Sequence, residues 1–264
     1  MLGVGRILRR MIGKKKFYPF FRNLYSTAIT GMNIGLGTGV NVSGEINSLA
    51  YVKEHSSTGK TIIIFDVGAN KGQYSQFLLD FFSDDNIEIH SFEPGHETFK
   101  ILYANLGSES KITLNNFGLS DSKSQSTLFY DKAGSGLASI YKRQLDYLNI
   151  EFEQSESIML DTLDKYVNDK KIGHIDLLKL DVEGNELNVL KGAADSLANG
   201  IIKAIQIEFG GCNIDSRTFI RDFWNLLHKD FTMYRIMKDG LIEINQYDER
   251  LEIFTCTNFF FAKK

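Results

Sequence analysis

Cysteine and histidine are scarce in this 264-residue chain, with two of the first, Cys212 and Cys256, and five of the second. So few thiols exclude a disulfide-stapled scaffold, and the shortage of both ligand types argues against a cysteine-rich zinc site. A reducing compartment, the cytoplasm, is the expected setting. No run approaches about 18 uninterrupted apolar residues, so no ordinary helical membrane span is expected. The basic start of the chain lacks the long apolar region and small-residue cleavage site of a secretory signal. No internal repeat or low-complexity domain stands out.

What remains is ordinary for a globular protein: 43% hydrophobic and 24% charged residues, in a length that suits one large domain better than two. The net charge of -3 conceals an asymmetry. Residues 1–60 carry nine Lys or Arg against Glu45 and Glu54, a balance of +7, and the rest carries 21 bases against 31 acids, a balance of -10. A basic head on an acidic body can meet an anionic membrane surface, a phosphorylated carrier or the body itself. No nucleic-acid partner is expected, because the bases neither continue into the body nor interleave with a stacking platform.

Three stretches follow. Residues 1–30 hold Arg6, Arg9, Arg10, Lys14, Lys15 and Lys16, then Phe17, Tyr18, Phe20 and Phe21. Leu2, Ile7, Leu8, Met11 and Ile12 can form one face of a short helix, which either touches a membrane or partner or packs on the domain with its charges in water. Residues 31–60 are an approach segment packed on the domain, irregular over the Gly-, Asn- and Ser-rich 31–48. Residues 61–264 are the main domain. There, Ile62–Val67 is a continuous apolar run suited to a strand buried on both faces. Tyr74, Phe77, Leu78 and Phe81 recur at helical spacing, and Ile87–Phe92, 111–117, 175–180 and 201–207 read as further strands. Helices are expected around Phe99 to Leu106, 163–167, Leu187 to Leu197 and Phe219 to Leu227. Phe231–Met237, 241–244 and 258–262 complete the sheet, and 118–160 reads as a loop and hairpin insertion. Alternating strands and helices predict an α/β doubly wound, mostly parallel sheet with ligands outside the strands' carboxyl ends.

The functional residues fall at those ends. Asp66-Val67-Gly68-Ala69-Asn70-Lys71-Gly72 is a small-residue turn that can bring backbone amides near a ligand. It lacks both the full dinucleotide fingerprint and the Gly-Lys-Ser/Thr ending of a phosphate loop, so Lys71 is poor support for ATP hydrolysis, and a purely structural turn stays open. Glu93 ends the second strand, 21 residues after Gly72, where a carboxylate can accept from both ribose hydroxyls. The pair fits NAD or S-adenosylmethionine, and the charge of Asp66 suits the amine and sulfonium of the latter better than a pyrophosphate. Asp181 and Glu183 follow a buried strand and Glu208 ends the next. These three can bind a cofactor amine, orient a hydroxyl or form a hard oxygen-ligand site for a metal such as Mg2+, against the plain reading of capping and salt bridging. Glu186 reads as a favourable acid in a first helical turn.

Three blocks, VGANKGQYSQFL, SFEPGHETFKILYANL and IDLLKLDVEGNELNVLKGA, resemble the FkbM family of S-adenosylmethionine-dependent methyltransferases. GLSD at 118–121, LDTLDKYV at 160–167 and MNIGLGTGVNVSGE at 32–45 look like its weaker blocks, so the resemblance spans about residues 31–209. It implies a Rossmann-like class I methyltransferase fold and methylation of hydroxyl groups on small molecules and glycans. By position, it implies a cofactor cradle of Asp66, Gly68, Asn70 and Gly72, with Tyr74 walling the site. Glu93 is implied for the ribose, Phe92 and Pro94 for the adenosine side, and Ser120 and Asp121 for the adenine edge. Asp181 and Glu183 would face the transfer site. Gly95-His96 departs from the second proline common after FEP, and His96 reads as a loop residue. A non-enzymatic binding protein of the same fold, an NAD-dependent oxidoreductase and N-methylation stay open alongside O-methylation. Asp181, then Glu183 and Glu208, are the expected groups for acceptor activation or metal binding.

Overall fold

The computed structural model describes residues 9–35, 39–57 and 59–264; Leu2, Ile7 and Leu8 of the expected N-terminal apolar face lie outside them. In chain order the helices are α1 (Tyr18–Gly31), α2 (Ile46–His55), α3 (Gln73–Phe81), α4 (His96–Leu106), α5 (Leu163–Lys170), α6 (Glu186–Lys191) and α7 (Ile220–Leu227), besides shorter helical turns. The strands are β1 (Ile62–Val67), β2 (Ile87–Phe92), β3 (Ile112–Asn115), β4 (Gly118–Leu119), β5 (Ser124–Tyr130), β6 (Gln154–Asp161), β7 (Leu177–Leu180), β8 (Ala204–Phe209), β9 (Phe231–Met237), β10 (Gly240–Ile244) and β11 (Thr257–Lys263).

Eight strands form one sheet in the order β3-β2-β1-β7-β8-β11-β9-β10. β3, β2, β1, β7 and β8 are mutually parallel, and β11 inserts antiparallel between β8 and β9. This is the doubly wound, Rossmann-like arrangement that the resemblance implies. The chain runs outward from β1 through β2 to β3, then returns to place β7 on the other side of β1. Ligand crevices open at such a reversal, beyond the carboxyl ends of the two adjoining strands.

Period-two alternation divides the core. Phe65 and Val67 point to one face with Phe259 and Phe261, covered by Leu163, Tyr166, Val189, Leu190 and Phe223 of α5, α6 and α7. Ile62 and Ile64 point to the other with Phe260, covered by Leu49, Val52 and Leu78 of α2 and α3. Three consecutive phenylalanines of β11 are therefore all fully buried, as a strand covered on both faces requires.

The 118–160 insertion is a small separate sheet in the order β4-β6-β5, with β5 and β6 antiparallel from Ser124 opposite Leu160 to Tyr130 opposite Gln154. It hangs over the switch point. β8 runs two residues beyond the expected end, so Glu208 is the penultimate residue of a strand rather than its terminus. Within 31–48, expected to be irregular, the short helical turn Val40–Ser43 forms and α2 begins at Ile46.

Side-chain hydrogen bonds seat this approach on the sheet. Asn33 Nδ2 donates to the carbonyls of Ser43 at 2.7 Å and Ile236 at 3.0 Å, and Asn47 Nδ2 to that of Met237 at 2.9 Å. Inside, Gln206 Nε2 donates to Glu45 Oε2 at 2.6 Å, Ser48 Oγ to Gln206 Oε1 at 2.5 Å and Ser43 Oγ to Glu45 Oε1 at 2.7 Å. Gln206 and Ser48 are fully buried. Replacing Gln206 by Ala leaves Glu45 Oε2 without its donor and Ser48 Oγ with the Glu45 carbonyl as its one remaining acceptor, and is expected to lower the unfolding free energy by about 1–3 kcal/mol. Urea denaturation measures this, and an unchanged midpoint would mean that the approach segment is held by other contacts.

Candidate functional site

The turn after β1 is shaped by contact distances. Gly68 has φ +90°, and a Cβ there would lie 1.9 Å from the Asp181 carbonyl oxygen, so only glycine lets the β1 and β7 loops touch. Gly72, at φ +87°, lies against Leu102 and Leu106 of α4 and lines no site cavity; its smallness serves packing of turn on helix. The amides of Gly68 and Ala69 both donate to the Phe92 carbonyl, and that of Asn70 to Glu93 Oε2 at 3.0 Å. Three amides of the turn expected to approach a ligand are thus paired within the protein, tying the β1 turn to the end of β2.

Glu93 is the hub of that tie. Its Oε1 accepts from the Gly95 amide at 2.9 Å and its Oε2 from Asn70, leaving one lone pair on each oxygen. Burial pushes its carboxyl up to about 7, partly offset by the Gly95 and Asn70 amides.

Two cavities meet here. The first is a narrow cleft, part of it open to solvent. Gly68, Asn70, Phe92, Glu93 and Pro94 form its floor. Leu128, Ala138, Ile140, Ile158 and Leu160 of the insertion give an apolar wall that the sequence reading had not assigned. The second, wider cavity is lined by Glu45, Gln73, Tyr74, Phe77, Lys179, Glu208, Cys256 and Asn258 among others. Gly68, Asn70, Gly136, Asp181 and Glu183 border both.

Besides Gly72, three more residues expected at the cofactor line neither cavity. Asp66 is fully buried inside β1 and lines neither cavity. Its Oδ2 accepts from Ser75 Oγ at 2.6 Å and its Oδ1 lies 3.8 Å from Lys179 Nζ, so its charge acts on Lys179 rather than directly on a ligand. Burial raises its carboxyl, against the pull of Lys179 and Ser75. Ser120 and Asp121 line neither cavity, and Gly118 and Leu119 border the first instead. The Ser120 amide is tied to the Asp161 carbonyl, its own carbonyl would meet a Cβ on Gly192 at 2.0 Å, and Asp121 is exposed. His96 sits outside both cavities, its ring against Asn116.

Asp181, Glu183 and Glu208 do converge, each with a carboxylate oxygen within 4.8 Å of the others. Asp181 Oδ2 is 3.0 Å from Lys179 Nζ, and Glu183 Oε2 is 2.6 Å from Arg143 Nη1, which comes from the insertion. The Asp181 side chain is 32% exposed and that of Glu183 12%, so Asp181 is the more reachable. Glu183 stands at φ +51°, with its carbonyl accepting from Ser139 Oγ at 2.7 Å. Burial, then repulsion from Asp181 and Glu208, raises the Glu183 carboxyl well above its ordinary range despite Arg143. Burial and Asp181 bring the Glu208 carboxyl to about 8. Glu186 is buried, accepts from the amides of Val182 and Gly184, and braces the loop that presents the cluster.

Lys179 and Arg143 are the functional-looking residues the sequence reading passed over. Burial alone would push the Lys179 ammonium down, but Asp181, Asp66 and Glu45 outweigh it and hold the group charged. It lies 4.6 Å from the centroid of the Tyr74 ring, a cation–π distance. The Tyr74 hydroxyl, on the wall of the second cavity, is buried and has no partner among the described residues. Lysine between Leu178 and Leu180 in a buried strand was the signal available for the first; Arg143, in an irregular loop, left none.

No curated protein matches the chain. Among solved structures, the chain resembles a methyltransferase FkbM from Methylobacillus flagellatus KT, at 17% identity and a TM-score of 0.46, over 91% of this chain and 59% of that one. It also resembles an rRNA methylase from Streptococcus thermophilus, at 13% and 0.42, over 82% and 93%, and a SAM-dependent O-methyltransferase from Thermotoga maritima, at 14% and 0.39, over 83% and 64%. None of the three reaches a TM-score of 0.5. The sequence profile of the methyltransferase FkbM domain, by contrast, matches residues 66–234, well over half the chain and all three strand ends described above. The chain belongs to the FkbM family of methyltransferases, which take S-adenosylmethionine as methyl donor.

Proposed function

We propose that the chain transfers the methyl group of S-adenosylmethionine to a hydroxyl of a sugar, glycan or glycosylated metabolite. The observation that carries this reading is the pair of cavities sharing Gly68, Asn70, Asp181 and Glu183. One has an apolar wall above a carboxylate with spare lone pairs, which suits an adenosine; the other is wide and lined with carboxylates, which suits a polyhydroxyl acceptor. In this reading Glu93 accepts from the ribose hydroxyls, with Phe92 and Pro94 against the adenosine. Gly68 and Asn70 border the methionine end, and Tyr74 walls the acceptor side. Asp66 contributes through Lys179. Gly72 contributes through the packing of its turn, and Ser120 through the hydrogen bond of its amide to Asp161, next to Leu119 on the cavity wall; Asp121 stays outside.

Charge favours the same donor. Asp66, Asp181, Glu183, Glu208 and Glu45 outnumber Lys179 and Arg143, and the raised carboxyls of Asp66, Glu183 and Glu208 mark a crowding of acids that a bound sulfonium and amine would relieve. The same excess opposes a phosphate-rich nucleic acid as acceptor. The cofactor supplies the activated methyl group; the protein aligns the acceptor oxygen and takes its proton. Asp181, on the border of both cavities, orients the hydroxyl, and Glu208, with a carboxyl near 8, is a base matched to neutral or slightly alkaline pH. The three clustered carboxylates also fit a hard cation such as Mg2+, offering one oxygen each, although Lys179 and Arg143 already occupy Asp181 and Glu183. Loss of activity in EDTA and its recovery with Mg2+ would identify that second reading.

Asp181→Asn removes the charge while nearly keeping the shape. Turnover should fall by roughly 100-fold or more, with little change in affinity for the demethylated cofactor by calorimetry. Full turnover in that variant would remove Asp181 from the mechanism.

Affinity for the demethylated cofactor should rise with pH up to about 7 and level off above, because only ionised Glu93 accepts from both hydroxyls. Below that value affinity scales with the ionised fraction, about tenfold per pH unit. Stability of the ligand-free protein should run the other way. With folded carboxyls at about 7 for Glu93 and Glu186 and about 8 for Glu208, the folded state holds protons that the unfolded state releases near 4.5. Stability is then lost as pH rises from about 4.5 to 8. A Glu93→Gln variant whose affinity keeps the same pH profile would disprove the ribose assignment.

A further inference from the structure

Helix α1 leaves its apolar face uncovered by the body of the protein. Arg22, Asn23, Ser26, Thr27 and Thr30 share one face by their three- and four-residue spacing, and Phe17, Phe21, Leu24, Tyr25 and Ala28 share the opposite one. A helix that belongs to a globular surface turns its apolar stripe to the core. Here Ser26, Thr27 and Thr30 border a groove with Met237, Lys238 and Asp239 at the end of β9 but stay exposed, and the apolar face is not covered by the body either. No residue of α1 is buried. Tyr18 is 65% exposed, Leu24 50% and Tyr25 60%.

Charge identifies what the outward face meets. Arg9, Arg10, Lys14, Lys15, Lys16 and Arg22 lie at or just before the helix, and no acid precedes Glu45. The Lys16 ammonium lies 4.8 Å from the centroid of the Phe17 ring, where base and aromatic present one mixed surface. Among the described residues no helix is long and apolar enough to cross a membrane. Fourteen residues, about 21 Å at 1.5 Å each, can instead lie in the plane of a bilayer interface with aromatics at the acyl boundary and bases among the headgroups.

We infer that α1 and the basic residues before it dock the enzyme on an anionic lipid bilayer. The inference stands whatever the acceptor is. A membrane surface explains both the outward aromatics and the uncompensated positive charge. A second copy of the chain would bring an equally basic helix to the same place.

The full-length protein is to be sedimented with phosphatidylcholine vesicles with and without phosphatidylglycerol. Binding is expected only when phosphatidylglycerol is present, weakening as salt is added. Lys14→Gln/Lys15→Gln/Lys16→Gln should reduce partitioning by roughly 100-fold, about fivefold per cation. Leu24→Asp/Tyr25→Asp should abolish it with an unchanged melting temperature, since no side chain of α1 is buried. Wild-type protein that ignores phosphatidylglycerol vesicles would overturn the inference, as would full binding by the Leu24/Tyr25 variant. A dimer that this variant dissociates, with no vesicle binding by wild type, would overturn it too and make a second copy the occupant.

Discussion

A buried ammonium under the switch point is what lets so many carboxylates share one crevice. Lys179 stands in β7, 3.8 Å from Asp66 in β1 and 3.0 Å from Asp181 in the following loop, with the Tyr74 ring against it. An isolated buried charge is costly, and a carboxylate without a partner equally so. Together they are tolerable, and they couple the two strands whose divergence opens the site. The Gly68 turn presses on the Asp181 carbonyl from the same side, so the spacing of β1 and β7 is held by electrostatics and by close backbone contact at once.

The remainder of the site is arranged around an incomplete neutralisation. Arg143 reaches in from the insertion to Glu183, and its Nε lies 3.6 Å from Asp215 on a short helical turn after β8. Glu183 and Glu208 keep raised carboxyls all the same, because their neighbours are acids and their surroundings are dry. Such a cluster attracts cationic ligands and holds a proton acceptor close to neutral pH. The insertion therefore does two jobs with one chain segment. Its small sheet walls the first cavity with apolar side chains, and its loop supplies the cation that steadies the acidic cluster in the second.

Ordinary methyltransferase architecture carries the chemistry, and the N-terminal segment sits apart from it. Asn33, Asn47 and the Glu45–Gln206–Ser48 network tie the approach to the sheet, and Glu45 and Val40 line the second cavity. The segment that borders the second cavity is thus continuous in sequence with the amphipathic helix before it.

The central sheet was legible in sequence because its strands are buried on both faces. Continuous apolar runs such as Ile62–Val67 and the three phenylalanines of β11 have few alternatives, and acids placed after them mark strand ends. The motifs that identify the family were legible for the same reason: a turn at Gly68 and a carboxylate at Glu93 follow from local chain geometry. Helix α2 was hidden, since its apolar signal is little more than Leu49 and Val52 beside a Gly- and Asn-rich approach. Which motif residues face a ligand was decided only by tertiary structure. Asp66 and Ser120 carry suitable groups, but Lys179 and Ser75 claim the first, and the chain packed against Gly192 buries the second. Arg143 lies 40 residues from Glu183 in sequence and meets it only because the insertion folds back over β7. Spacing along a chain encodes periodicity and turns, whereas the pairing of buried charges depends on which strands the fold has made neighbours.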